Sequence, residues 1–249
     1  MRMQQKASNS NIELPIHLCA KTIARRLMTA VICLTLAGAL SAYFWFTEFS
    51  FPASKWFYEL FSLDEELNIP AWYSAFSLLF CSGLLKAITA IKTEDRYFSR
   101  WKTLYFIFVY LSLDEAFSFH ELLIIPSVRE SLNLNPIFFQ TWVIPGAILV
   151  GVFAFKYLKF WLHLPYKTRY LFLIAAVVYV SGTLGMEMVG GLLREDFGRR
   201  GLITLIGIVV EEFLEMTGIV IFTYALLAYL SSLRESLKMK IYLSENEFK

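Results

Sequence analysis

The last apolar run of this chain, residues 202–230, is long enough to cross a lipid bilayer, and yet it contains Glu211, Glu212 and Glu215. A transmembrane helix needs about 20 predominantly apolar residues. Carboxyl groups inside such a helix are costly unless they find partners or water, and they usually face the interior of a helix bundle. The run therefore predicts a membrane helix with a polar face that other helices must complete.

Five further apolar runs precede this one. They cover residues 27–47, 72–91, 101–121, 139–158 and 170–192. The chain is 57% hydrophobic and only 18% charged, with a mean hydropathy of +0.54. Such a composition is typical of helical membrane proteins and too apolar for most soluble domains. The sequence predicts an all-α, polytopic integral membrane protein with a bundle of six transmembrane helices.

The runs also divide the chain into three regions. A six-helix transmembrane domain at 27–230 lies between a tail at 1–26 and a tail at 231–249. Trp56, Phe57, Leu60 and Phe61 recur at helical spacing between the first two runs, which predicts a short helix lying in the membrane interface.

The basic residues predict the orientation of these helices. If both tails are cytoplasmic, 18 of the 23 Lys and Arg residues fall on the cytoplasmic side. Positive residues are enriched in cytoplasmic loops, so both termini are expected in the cytoplasm, as in a bacterial inner membrane protein. Five of the six tryptophans lie near the ends of the runs, where an aromatic belt would place them: Trp45, Trp72, Trp101, Trp142 and Trp161.

Several functional classes are excluded at this stage. A net charge of +2 without a basic stripe argues against a nucleic-acid partner. There is no Gly-rich phosphate loop and no Gly-x-Ser-x-Gly motif. The three cysteines (Cys19, Cys33 and Cys81) have no paired spacing, so we interpret them as reduced side chains within or next to apolar segments.

A second group of ionisable residues ends the third run. It consists of Asp114, Glu115, His120 and Glu121, and the fifth run adds Glu187. Helical spacing directs the acids of each run to one side, next to small residues that allow helices to approach closely. We expect these groups to meet the acids of the last run in one cavity that opens away from the cytoplasm, with Glu66 at its rim.

Simpler interpretations stay open for each group. The last helix, if displaced, would leave its three acids among lipid headgroups, and Asp114 with Glu115 would then be an ordinary acidic pair at a helix end. Glu187 has Arg194 as a possible ion-pair partner, and Asp64 to Glu66 are expected to form a solvated loop face. His17 and His163 fall on the cytoplasmic side and receive no role in the site.

Three segments carry a resemblance to a group of uncharacterised bacterial multipass membrane proteins. They are Leu113-Asp-Glu-x-x-x-x-His-Glu121, Glu211-Glu-x-x-Glu-Met-x-Gly218 and Asn68-Ile-Pro-x-x-Tyr-Ser74. The resemblance implies that the acidic and histidine positions belong together, and it implies no activity.

The leading hypothesis from the sequence is a membrane-embedded, metal-dependent enzyme that acts on a lipid or a lipid-linked substrate at the outer leaflet. The expected metal ligands are Glu115, His120, Glu187, Glu211 and Glu215. Asp114, Glu121 and Glu212 are the candidate catalytic groups, as general bases or as orienting partners of the ligands. One imidazole among many carboxylates is compatible with Mg, Mn, Fe or Zn.

Two alternatives use the same acids. In a proton- or cation-coupled transporter they would bind the coupling ion, although the sequence contains no inverted repeat and no pair of interrupted helices. In a non-catalytic membrane assembly factor they would only hold the helices together.

Overall fold

The structure, a computed structural model, describes residues 19–48 and 51–233. This part of the chain is helical and contains no β-strand, so the predicted all-α class is confirmed for it. The helices are α1 (Ala20–Thr47), α2 (Ser54–Phe61), α3 (Ile69–Ile91), α4 (Phe98–Phe117), α5 (Pro126–Ser131), α6 (Val143–His163), α7 (Tyr166–Val180), α8 (Glu187–Phe197) and α9 (Leu202–Leu233). His17 and most of both predicted tails lie outside the described residues.

Four stretches of the described chain are long and apolar enough to cross a membrane. They are α1, α3, α6 and the continuous stretch from α7 through α8, Tyr166–Phe197. A π-helical segment, Ser181–Met186, joins α7 to α8 without breaking the helix. The two other long helices, α4 and α9, carry most of the predicted site acids.

Several predicted boundaries differ from the helix ends. The helix α1 begins at Ala20, inside the predicted tail 1–26, and α9 continues to Leu233, past the predicted limit of 230. Apolar residues mark the part of a helix that suits the membrane, whereas lysine and arginine are also good helix formers. The helices therefore extend beyond the apolar runs by which they were predicted.

Two ends of the molecule can be defined from its ion pairs and its charges. Arg200, just before α9, lies 3.8 Å from Glu48, just after α1, so the end of α1 and the start of α9 are neighbours. We call this the acidic end. Lys92, at the end of α3, and His163, at the end of α6, line one cavity at the other end, which we call the basic end.

The central helix of the fold is α9. It packs against α1, α3, α7 and α8, and α3 packs along α4. The acids of α9 are therefore surrounded by other helices.

The apolar core lies toward the basic end and contradicts one expectation. Trp101 was predicted to belong to an aromatic belt, but its side chain is 1% exposed. It stacks on Tyr229, with ring centroids 5.2 Å apart, and meets the edge of Phe160 at 4.8 Å. A position near the end of an apolar run does not reveal which way a tryptophan points, and here it points inward.

Candidate functional site

The mouth of the candidate site is built where α4 ends. The third run was predicted to stay helical through Glu121, but α4 ends at Phe117 and Ser118 adopts the left-handed conformation, with φ of 52°. Asp114 stabilises this change of direction. Its Oδ1 accepts a hydrogen bond from the backbone N–H of His120 at 2.9 Å, and its Oδ2 lies 3.1 Å from Nδ1 of the same residue.

These two contacts hold His120 in position and favour its protonated form. Burial of its ring disfavours protonation, but the hydrogen bond and the negative charge of Asp114 outweigh that effect, and the pKa of His120 is raised. The indole of Trp142, just before α6, packs against the imidazole at 5.0 Å between ring centroids. This imidazole is held as part of a hydrogen-bonded pair, as are many histidines that bind metals or transfer protons.

Glu66 and Glu121 lie near His120. The loop that carries Glu66 is held by Asn68, which donates to the carbonyl oxygens of Ser62 and Glu65 and caps α3 by accepting from Ala71. Glu66 is exposed at the surface, yet protein atoms on its inner side raise its pKa, and the nearby His120 opposes this shift. Glu66 is thus a neighbour of His120, and its predicted place at the rim of a cavity stays a prediction.

Four carboxyl groups from two helices meet below the mouth. Glu212 is the strongest charged neighbour of both Glu115 and Glu215, and Glu211 is a further neighbour of Glu215. Each of the four is half-buried, so each keeps some surface open between the helices. The acids from the third and last runs therefore share one region of α4 and α9.

Arg194 connects this group to the acidic end. Its Nη1 lies 3.3 Å from Oε1 of Glu187, and its Nη2 lies 3.8 Å from Asp64. Glu187 is in turn the strongest charged neighbour of Glu211. Both the alternative pairing of Glu187 with Arg194 and the predicted approach of Glu187 to α9 are therefore present in one network.

The same contacts correct the expectation that Asp64 belongs to a solvated loop face. Its side chain is 18% exposed, and it pairs with Arg199 at 3.3 Å as well as with Arg194. No sequence pattern indicates this pairing, because Asp64 lies far along the chain from Arg194, in the last turn of α8, and from Arg199, just after it.

Negative charge exceeds positive charge in this network. Within residues 19–48 and 51–233, salt-bridge partners of its acids are Arg194, Arg199 and His120. Glu115 and Glu215 have other carboxyl groups as their strongest charged neighbours. Carboxyl groups so close together share protons or bind a cation, because they are not all ionised without compensation.

The packing of α7 on α9 closes the inner end of the group. A Cβ atom on Gly182 would lie 2.7 Å from Cγ of Glu215, and one on Gly218 would lie 2.8 Å from the backbone nitrogen of Tyr179. Glycine is thus required for the helices to approach this closely. Tyr179 has Glu215 and Glu115 among its neighbours and was missed in the sequence, where it is one of many aromatic residues.

The predicted metal ligands are distributed over this network. His120 lies at the mouth with Asp114, Glu66 and Glu121 as its strongest charged neighbours, whereas Glu187 and Glu211 lie next to Arg194. In the part of the chain that the structure describes, no three His, Cys, Asp or Glu side chains are arranged to hold a metal ion. The ligand set and the catalytic roles of Asp114, Glu121 and Glu212 stay predictions.

Comparison with known proteins gives a family and no activity. No curated protein and no solved structure matches the chain. The family described as Domain of unknown function (DUF8692) matches residues 26–230, which include most of each long helix and all the acids of the candidate site, here called the acidic network: Asp64, Glu66, Asp114, Glu115, Glu121, Glu187, Glu211, Glu212 and Glu215. The chain therefore belongs to the DUF8692 family.

Proposed function

We propose that the protein crosses the membrane six times, with both termini in the cytoplasm and the acidic end on the opposite side. α4 and α9 would complete the four apolar spans, since each packs along α3, itself one of those spans. The count of basic residues supports the orientation. The short helix α2 would lie in the interface, with the exposed Trp56 facing lipid. The resemblance to bacterial proteins supports an inner membrane location.

For the acidic network, we propose proton binding within a proton-coupled membrane carrier. The observation that carries this proposal is the close group of Glu115, Glu211, Glu212 and Glu215, in which carboxyl groups have one another as neighbours. Rows of intramembrane carboxyl groups are typical of proton pathways in pumps and transporters. The paired Asp114 and His120 at the mouth would exchange protons with the aqueous phase.

The π-helical segment Ser181–Met186 supports a carrier. It interrupts the regular hydrogen bonding of the α7–α8 helix and contacts α9 beside Glu215 through Gly182. π-Helical turns often occur at functional sites. A change of hydrogen bonding here would move α7 against the acids of α9.

A second candidate is the metal-dependent enzyme that acts on a lipid at the outer leaflet. The pairing of His120 with Asp114 favours it, because a carboxylate that fixes an imidazole is a common arrangement behind a metal ligand. Glu115, Glu187, Glu211 and Glu215 would supply oxygen ligands to a divalent ion. A lipid of the surrounding bilayer would then be the substrate.

Labelling with a hydrophobic carbodiimide tests the proton-binding proposal. The reagent adds to protonated carboxyl groups in apolar surroundings and forms a stable N-acylurea, which mass spectrometry locates. We expect labelling of Glu115 or Glu215 near neutral pH, and a proton flux into liposomes under a pH gradient that Glu215→Gln abolishes. The matched control is Glu130→Gln, an exposed acid near the same end, which should leave both results unchanged.

The outcomes separate the candidate functions. If neither labelling nor proton flux is detected in a folded protein, proton binding is wrong. A stoichiometric divalent metal, lost in Glu211→Ala and protective against labelling, would favour the enzyme. A Glu215→Gln variant that unfolds more easily but changes neither metal content nor flux would favour the assembly factor.

A further inference from the structure

A second polar cavity lies at the basic end, on the opposite side of the bundle from the acidic network. Its volume is about 280 Å³, and it lies between the ends of α3, α6 and α9 and the start of α4. A space of this size has room for several water molecules. The proton-binding proposal makes no use of this cavity.

An ion pair forms one wall of the cavity. Nζ of Lys92 lies 3.1 Å from Oδ2 of Asp95, and Oδ1 of Asp95 accepts a hydrogen bond from the backbone N–H of Tyr97 at 2.7 Å. The side chains are 27% and 14% exposed, so both charges remain accessible from the cavity. One positive and one negative group are therefore held side by side in fixed positions.

Both groups are charged at neutral pH. Burial disfavours both charged forms, but the hydrogen bond and charge of Asp95 raise the pKa of Lys92. The pKa of Asp95 is lowered despite its burial, because the Tyr97 backbone and Lys92 stabilise the carboxylate.

The remaining polar groups come from the other helices around the cavity. His163 of α6 lies within electrostatic range of Asp95, and its ring packs on Tyr97 at 4.9 Å. The Tyr229 hydroxyl of α9 lies close enough to Lys92 to interact with it, and Ser232 lines the same space. The other polar side chains that line the cavity can all donate hydrogen bonds. Among the described residues, Asp95 supplies the single carboxylate of the cavity.

A rigid apolar wall completes the cavity. Trp101, Phe160 and Leu164 line it and are all nearly buried. Trp101 is clamped between the Tyr229 and Phe160 rings, so this wall has little freedom to collapse into the space. The cavity lies where the candidate spans α3 and α6 end, which is the level at which lipid headgroups meet a membrane protein.

We propose that this cavity binds a zwitterionic headgroup that carries one phosphate and one primary ammonium, as in a phosphatidylethanolamine of the adjacent leaflet. The phosphate would accept hydrogen bonds from Lys92 and Tyr229, and the ammonium would donate to Asp95. A purely anionic headgroup fits less well, because its charge and that of Asp95 would then share the single ammonium of Lys92, whereas a zwitterionic headgroup brings a second cation for Asp95. Occupation by this lipid would join the ends of α3, α6 and α9.

Native mass spectrometry of the purified full-length protein tests the assignment. The probes are phosphatidylethanolamine and phosphatidylglycerol with identical acyl chains. We expect retention of phosphatidylethanolamine in preference to phosphatidylglycerol, and we expect Asp95→Asn to reduce that preference about tenfold, as for a charge-assisted hydrogen bond. Glu94→Gln, an exposed acid in the same connection, is the matched control and should keep the preference.

Two further measurements complete the test. Asp95→Glu keeps the charge and should keep the preference even if its stability falls, which separates loss of binding from loss of folding. Free phosphoethanolamine that competes with the lipid would identify a soluble ligand with the same headgroup chemistry; competition by lipid alone would identify the bilayer as the source. Equal retention of both lipids by the wild type, or an unchanged preference in folded Asp95→Asn, would overturn the proposal.

Discussion

Asp114 and His120 behave as one unit, because both carboxylate oxygens of Asp114 contact the same residue. One oxygen fixes the backbone of the turn that follows α4, and the other fixes the ring. The fold of the mouth and the protonation of its histidine therefore depend on the same side chain. A proton that enters the network through His120 would have to change this contact first.

We predict that Asp114→Asn lowers the pKa of His120, because asparagine lacks the charge that stabilises the imidazolium. The raised pKa of His120 stabilises the fold at pH values below the ordinary histidine pKa of about 6.5, and this contribution is lost as the pH rises through the raised value. NMR of histidine-labelled protein measures the pKa directly. With only three histidines in the chain, His17→Gln and His163→Gln assign the signal. An unchanged His120 titration in Asp114→Asn would contradict the pairing.

Arg194 gives a second prediction at this scale. Arg194→Gln would leave Glu187 and Asp64 without their shared partner, and breaking a buried ion pair typically costs about 3–5 kcal/mol. Arg199→Gln is the matched control, because Arg199 is 73% exposed and its pair with Asp64 should contribute less than about 1 kcal/mol. Chemical denaturation in detergent measures both. Adding Glu187→Gln should restore part of the stability lost in Arg194→Gln, and equal losses in the two single variants would contradict the buried network.

The sequence indicated which acids lie close together, but it indicated their positively charged partners only in part. Helical spacing and the cost of a buried carboxylate are local properties, and they indicated Glu115, Glu211 and Glu215 as members of one group. The contact of Asp64 with Arg194 joins a loop to the last turn of α8, and no periodicity indicates which loop meets which helix. The sequence therefore identified the acids more readily than the cations that balance them.

At the scale of the helices, the contact between α7 and α9 determines how close Tyr179 comes to the acids. Gly218 allows the two backbones to touch, and the π-helical segment after α7 brings Gly182 against Glu215. Neither feature could be predicted from apolar periodicity. A π-helical turn changes the backbone hydrogen bonding but leaves the pattern of apolar residues unchanged. The end of α4 at Phe117 is also absent from the apolar pattern, because the side chain of Asp114 stabilises the turn that follows it.

We predict that Gly218→Ala destabilises the protein by about 1–3 kcal/mol, because the new methyl group would overlap the backbone of Tyr179. Gly151→Ala in α6 is the matched control, since a Cβ atom there meets nothing within 4 Å. Alanine favours a helix over glycine, so the control should be neutral or more stable by up to about 1 kcal/mol. Thermal unfolding in detergent measures both changes. A Gly218→Ala protein as stable as the control would mean that α7 and α9 are not in backbone contact.

At the scale of the whole molecule, the two ends of the bundle differ in charge, and this difference predicts how the bundle lies in the membrane. The acids of the candidate site lie toward the acidic end, and the ion pair of Lys92 and Asp95 lines a cavity at the basic end. Six spans with the basic end in the cytoplasm satisfy both the distribution of basic residues and the positions of the helix ends. The proton site and the headgroup site would then face different leaflets.

Labelling of single cysteines tests this orientation in intact cells. In a background with Cys19, Cys33 and Cys81 replaced by serine, we expect a membrane-impermeant maleimide to label Ser131→Cys, at the acidic end, without permeabilisation. Ser99→Cys, at the basic end, should react only after the membrane is opened; both positions are exposed in the fold, so burial does not explain a difference between them. Labelling of Ser99→Cys alone in intact cells would reverse the orientation and place the acidic network toward the cytoplasm. If both positions are labelled from the same side, the chain does not cross the membrane between them. The proposal that α4 spans the membrane would then be wrong, because α4 is the long helix that joins the two positions.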